Sequence, residues 1–237
     1  MNAFLEKEKI KAIFNWDIAT WSRALPVWDK IIQERPFQSG LEIGANKGGG
    51  SLYLALKGIK TICSDIVSPK EKAFSNHNRF MVAENIDYQA IDGTQIPFPD
   101  NFFDIIIFKS VLGYLKALPA QFDMVSEIHR VLKPGGVLLF AENLQGSLLH
   151  RKARKWFVPW GKAWRYLSLT EMHRLLSVFP QYELHTTGFL AAFVPGSEKV
   201  KSLLARVDSA LPFIPANWRY VGYGYARKTE NGGRWTD

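Results

Sequence analysis

The chain has 237 residues, 47% of them hydrophobic and 22% charged, an ordinary globular composition that argues against long disorder. No apolar run reaches the roughly 18 residues a bilayer span requires, and the opening MNAFLEKEKIKAIFNW mixes acids and bases with no apolar signal core. Thirty Lys and Arg against 22 Asp and Glu leave a charge of +8, open to nucleic acid, an anionic membrane surface, phosphorylated substrates or no special partner.

In chain order, residues 1–35 read as a helical preface. Helices are expected over 3–16 and 20–34, from the spacing of Phe4, Ile10, Ile13 and Phe14, then Trp21, Leu25, Trp28, Ile31 and Ile32. Their aromatic face reads as a packing surface. From Ser39 short apolar runs alternate with helix-like stretches, and the rest, residues 36–230, reads as one domain. The predicted strands are Leu41–Ala45, Lys60–Ile66, Asp87–Asp92, Phe103–Phe108 and Val137–Ala141. Alternation at this spacing implies right-handed crossovers and a mostly parallel α/β sheet. A helix from about Pro119 to Leu132 ends at Lys133-Pro134-Gly135-Gly136, read as a stop and a turn into the next strand. Cys63 is the only cysteine. It rules out an internal disulfide and a cysteine-built zinc site, and it fits a reducing cytoplasm; no metal site is expected.

The last third differs. No acid occurs between Glu142 and Glu171, while Arg151, Lys152, Arg154, Lys155, Lys162 and Arg165 interleave with Trp156, Phe157, Trp160, Trp164 and Tyr166. A helix is expected near Thr170–Val178, a strand near Tyr182–Phe193, a helix near Glu198–Leu211 and a final strand near Arg219–Arg227. The tail Asn231–Asp237 is polar and expected to fray.

The chemistry centres on Leu41-Glu42-Ile43-Gly44-Ala45-Asn46-Lys47-Gly48-Gly49-Gly50, which closes a strand and opens a helix. Glycine there permits unusual backbone angles and close approach of a ligand. A strand, glycine loop and helix fit any nucleotide-binding Rossmann unit. Two features narrow it. The spacing is Gly-x-x-x-Gly, with Asn46 where a dinucleotide fingerprint has its second glycine. Glu42 lies two residues before the loop, where it would repel a pyrophosphate and favour a cationic amine and sulfonium; alternatively it organises the loop by accepting backbone N–H groups. Asp65 ends the next strand, 21 residues after Gly44, where a carboxylate accepts ribose hydroxyls. Asp92 ends the third and is placed to accept an adenine amine, against a turn-capping alternative.

In order, LEIGANKGGG, CSDI, AIDGTQIPF, FDIIIFKSVLGYL and EIHRVLKPGGVLLFAENL resemble class I S-adenosylmethionine-dependent methyltransferases of the small-molecule type, over roughly residues 36–145. The resemblance implies a Rossmann-like seven-stranded, mostly parallel sheet with an antiparallel last strand. It implies S-adenosyl-L-methionine as cofactor and S-adenosyl-L-homocysteine as product. The binders it carries over are Glu42, Gly44, Ala45, Asn46 and Gly48, then Asp65 with Ile66 for ribose, Asp92 and Gly93 for adenine, and Lys109 and Ser110 near the methionine end. Asn46-Lys47 depart from the small residues usual there; Lys47 either pairs with the cofactor carboxylate or faces solvent. The C-terminal part resembles methyltransferases of polysaccharide assembly.

Methyl transfer from a sulfonium is an in-line displacement, which the protein assists by aligning the acceptor and excluding water; an alcohol acceptor also needs a base. Beyond the fourth and fifth strands, Glu142 and His150 are the candidate catalytic groups, and Tyr114, Asn143 and Arg151 the candidate acceptor contacts. His129, His173 and His185 read as structural, and Asp208 faces either the lid or solvent. Residues 144–180 form the expected acceptor lid insertion. Its positive charge suggests a small anionic acceptor such as a sugar, sugar phosphate or lipid-linked phosphate, a peripheral membrane contact, or simple packing of its aromatics. A nucleic-acid partner is disfavoured because Phe108-Lys109-Ser110-Val111 lacks the Asn/Asp-Pro-Pro-aromatic turn of many base methylases. RNA methylation and a non-catalytic cofactor-binding module stay as alternatives; an NAD oxidoreductase would need Gly-x-Gly-x-x-Gly.

Overall fold

The computed structural model describes residues 3–157, 164–194, 197–211 and 213–230, and among these described residues nine α-helices surround one sheet. The N-terminal part holds α1 (Ala3–Phe14), α2 (Ile18–Trp21) and α3 (Leu25–Glu34), then β1 (Ser39–Ile43), α4 (Gly49–Leu56), β2 (Lys60–Asp65) and α5 (Lys70–Arg79). The middle holds β3 (Ile86–Ala90), β4 (Phe103–Lys109), α6 (Leu118–Val131) and β5 (Leu132–Asn143). The last third holds α7 (Leu148–Phe157), α8 (Leu169–Leu176), β6 (Gln181–Thr187), α9 (Glu198–Ser209) and β7 (Val221–Arg227).

The seven strands lie in the order β3-β2-β1-β4-β5-β7-β6. Pairings from β3 through β5 are parallel, and β7 runs antiparallel to both neighbours. β4 shows why the sheet sits at the centre. Ile105 and Ile107 face one apolar layer with Leu52, Cys63, Trp28 and Ile31, while Ile106 and Phe108 face the other with Met124, Ile128 and Leu175. Each such side chain contributes about 1.5–3 kcal/mol when fully buried. The chain crosses to opposite faces on either side of β1, so a crevice opens at the carboxyl ends of β1 and β4.

Three expectations need correction. The helix over 20–34 breaks, because Ser22–Ala24 tightens into a 3-10 turn and Pro26 opens α3 in its first turn. Lys133-Pro134-Gly135-Gly136 lies inside β5 rather than before it. The register shift against β4 between Phe103 and Ile105, with Gly135 at φ 71°, absorbs the turn. The strand expected over 182–193 ends at Thr187. Gly188 takes φ 76° there and a 3-10 turn, Leu190–Phe193, follows. Among the described residues no helix is long and apolar enough to cross a membrane.

Candidate cofactor and acceptor site

Glu42, the last acid of β1, is buried with both oxygens spent on the start of α4. Oε1 accepts from Gly50 N at 2.7 Å, and Oε2 from Ser51 N and Ser51 Oγ, each at 2.7 Å. Burial raises its pKa while these donors and the helix N-terminus oppose that rise. Of the two roles open to Glu42, the geometry displays the loop-organising one. Gly44 at φ 65° and Asn46 at φ 48° bend the chain away from the sheet. A methyl on Gly44 would lie 2.5 Å from Val111 Cγ2, so the turns after β1 and β4 touch.

The later glycines serve protein packing. A Cβ on Gly48 would lie 2.4 Å from His77 Nε2, one on Gly49 2.0 Å from the Ile13 carbonyl oxygen, and one on Gly50 2.7 Å from Glu42 Oε1. His77 of α5, which no sequence motif singles out, is buried beneath the loop. Its Nε2 donates to the Gly48 carbonyl at 2.8 Å, so Nδ1 accepts from the Tyr88 hydroxyl at 2.7 Å. Burial holds its pKa below the usual imidazole range. No local pattern marks it, because its partners lie 29 and 11 residues away.

Asp65 stands at the end of β2 beside the loop. Oδ2 accepts from Asn46 N at 2.9 Å and Oδ1 from Ile66 N at 2.8 Å. Ile66 is exposed next to it. Ala45 N donates to the Ser64 carbonyl, and Ile91 N to the Asp65 carbonyl, which ties the ends of β1, β2 and β3 into one rim. Asp92 caps its own turn, accepting from Thr94 N and Thr94 Oγ1, and stays exposed. Gly93 is buried where a Cβ would meet Ile43 Cγ2 at 2.9 Å. Lys47 is exposed.

At the other side of the crevice Lys109 turns toward the N-terminal preface. Its Nζ donates to the Phe14 carbonyl at 2.9 Å and lies 3.6 Å from the Trp16 ring centroid. Burial pulls its pKa down to about 7, although Glu42 and Glu142 favour its charge. Ser110, at φ 57°, accepts from Asn143 Nδ2 at 2.7 Å. Glu142 is buried; its carboxylate accepts from Val111 N, Leu112 N and Asn143 N, each at 2.8 Å. Burial pushes its pKa up to about 7 against those donors. His150 is committed as well. Nε2 donates to the Phe189 carbonyl at 2.9 Å, and Nδ1 accepts from Ser147 N and Oγ. Both candidate bases are therefore bound up in backbone architecture, Glu142 under the turn after β4 and His150 in the first turn of α7 against Phe189.

Tyr114 is exposed on that turn. Its ring meets Trp164 (6.5 Å between centroids), which in turn meets Tyr166 (6.5 Å). Arg154 closes the series, its guanidinium carbon 3.8 Å from the Tyr166 ring centroid and Nη1 donating to the carbonyls of Leu144 and Gln145. Burial pulls its pKa below the usual guanidinium range. Arg151, by contrast, is exposed on α7. Trp160, Lys162 and the tail 231–237 lie outside the described residues, as do the side chains of Lys155, Trp156 and Phe157. Elsewhere His129 packs on Phe179, His173 and His185 bond to Tyr182 and Glu183, and Asp208 is buried against the backbone of Phe189 and Leu190.

A parallel sheet with its seventh strand reversed and a glycine turn at the β1–β4 crevice has the architecture of class I methyltransferases. Residues 41–140 match the family described as methyltransferase domain. Over these residues the chain is similar to S-adenosylmethionine-dependent methyltransferases, and its fold as a whole is theirs. Phosphoethanolamine N-methyltransferase 3 of Arabidopsis thaliana is 26% identical over 112 residues, 47% of this chain and 22% of that protein. The chain thus spans about a fifth of the length of the plant relatives it matches. Among solved structures, Haemonchus contortus phosphoethanolamine N-methyltransferase 2 in complex with S-adenosyl-L-methionine superposes with a TM-score of 0.64 at 19% identity, over 94% of this chain and 56% of that one. Geranyl diphosphate C-methyltransferase of Streptomyces coelicolor gives a TM-score of 0.60 at 16% identity, over 88% and 76% of the two chains.

Proposed function

We propose that the protein transfers the methyl group of S-adenosylmethionine to a small acceptor that carries an anionic group. The cofactor lies along the rim from Asp92 and Gly93, past Asp65 and Ile66, to the Gly44–Gly48 loop, with its methionine end at Lys109 and Ser110. The acceptor enters between the turn after β4 and residues 144–180, which act as its lid. Arg154 carries this reading. It is a half-buried cation with no carboxylate partner among the described residues, at the carboxyl end of β5 and at the end of an aromatic wall. An uncompensated guanidinium favours a ligand oxyanion, because pairing regains the solvation that burial removed. The indole N–H of Trp164, buried without a hydrogen-bond partner among the described residues, supplies a second donor on the same wall.

In this reading Arg154 takes the role first given to Arg151. Glu142 and Asn143 position the turn that holds the acceptor, and His150 fixes the lid. Two similar proteins are named for phosphoethanolamine and geranyl diphosphate, which fits an anionic acceptor without choosing one. We place the protein in the cytoplasm with peripheral membrane contact; Cys63 is a buried, free thiol.

The test is release of S-adenosylhomocysteine with phosphorylated small acceptors and their dephosphorylated counterparts. Turnover should follow the phosphorylated member, and Arg154→Met should raise its KM more than about tenfold, as expected for a lost charged hydrogen bond, with cofactor affinity unchanged. Equal turnover of both members, or an unchanged KM in the variant, contradicts the reading.

A further inference from the structure

We infer that the surface formed by α7, the 189–193 turn and α9 docks on an anionic lipid bilayer. This goes beyond the acceptor chemistry, assigns residues to the peripheral contact proposed above, and stands or falls independently of which acceptor is methylated.

The argument starts from α9. Its inner side is committed: Ala205 and Asp208 are buried, and Leu204 packs against the core. Its outer side presents Val200, Leu203 and Val207, at i, i+3 and i+7 and 42%, 60% and 40% exposed. A single exposed leucine is ordinary, whereas an apolar stripe along one helix is not. The first turn of α7 adds Leu148 and Leu149, 66% and 61% exposed.

The two helices are held to one turn. His150 of α7 stacks on Phe193 with centroids 4.5 Å apart and donates to the Phe189 carbonyl. Asp208 of α9 accepts from Phe189 N and Leu190 N. Trp218 stacks on Phe189 and is itself 48% exposed. The exposed groups thus belong to adjoining elements fastened through buried contacts.

Charge decides the occupant. Arg151 and Lys152 of α7 and Lys199 and Arg206 of α9 are exposed beside the aliphatic groups. The acids of α9 are turned away or engaged. Asp208 points inward, and Glu198 accepts from Asp17 N and Ile18 N and pairs with Lys201. Aliphatic side chains on helix surfaces, flanked by cations and accompanied by a tryptophan, match the boundary between acyl chains and anionic headgroups.

The full chain is sedimented with vesicles of phosphatidylcholine alone and of phosphatidylcholine with phosphatidylglycerol. Binding is expected to the second only, weakened by salt. Leu203→Asp with Val207→Asp, and separately Lys199→Glu with Arg206→Glu, should each lower the bound fraction more than about tenfold, the scale of losing two membrane contacts. Both should keep wild-type affinity for S-adenosylhomocysteine, which reports folding. Met81→Asp, at an exposed site elsewhere, should bind vesicles as wild type does. Absence of binding to the anionic vesicles, equal binding to both kinds, or variants that bind normally would each overturn the inference. So would a concentration-dependent dimer, abolished by the aspartates, in a protein that ignores vesicles.

Discussion

Asp65 spends both oxygens on backbone N–H groups of Asn46 and Ile66 yet remains partly open at the rim. It can orient the glycine loop and still offer lone pairs to ribose hydroxyls. Asp65→Ala should therefore weaken S-adenosylhomocysteine binding by more than about tenfold, since a charged acceptor is lost; unchanged affinity by calorimetry would remove Asp65 from the site. Its position was legible in the sequence because strand end and spacing are local properties. His77 was not, since its value lies in reaching Gly48 across the fold. Burial keeps the folded imidazole neutral to a lower pH than the unfolded one, which takes up a proton near its ordinary pKa of about 6.5. The unfolded state then binds more protons, so this stabilisation is present above about pH 6.5 and is lost as pH falls through the depressed folded value. The melting-temperature gap between wild type and His77→Asn should narrow on acidification below that pH; a constant gap would show that His77 does not titrate differently on folding.

At the scale of elements, the junction of α1 with the start of α4 links the preface to the site. Gly49 allows the Ile13 carbonyl to approach, and Lys109 bonds the Phe14 carbonyl under Trp16. Gly49→Ala forces these helices apart and should cost about 1–3 kcal/mol, the usual range for overpacking, read from urea unfolding. A wild-type midpoint would show that the preface yields freely. Lys109 loses its charge near pH 7, and with it the attraction to the Trp16 ring. Tryptophan emission should change with a midpoint near 7 in wild type and not in Lys109→Met; identical titrations would place the transition elsewhere. The aromatic preface is readable as packing in the sequence, but only the fold reveals that it packs on the start of α4, after the glycine loop. Glu142 and His150 show the converse. Their residue types and positions suited a base, while their lone pairs and N–H groups are consumed by backbone partners that no sequence pattern announces.

Across the whole molecule, the sheet was readable because short apolar runs separated by helical stretches leave few alternatives to parallel crossovers. Legibility declined after β5. Gly188 ends β6 because its φ of 76° and the nearby Tyr220 ring leave no room for a strand residue, and that constraint comes from a tyrosine 32 positions further along the sequence. The seven strands bring acids and loops from the first half of the chain onto one sheet with strands of the second, so cofactor binding at their rim should stabilise the entire domain. At about 100 times its dissociation constant a ligand adds about 2.7 kcal/mol, enough for a clear rise in melting temperature.

The most direct test is titration calorimetry of the purified protein with S-adenosylhomocysteine, alongside NAD. We expect one saturable site per chain for the nucleoside and no heat for the pyrophosphate-bearing dinucleotide. No binding of the first, or saturable binding of the second in its place, would contradict the cofactor site described above.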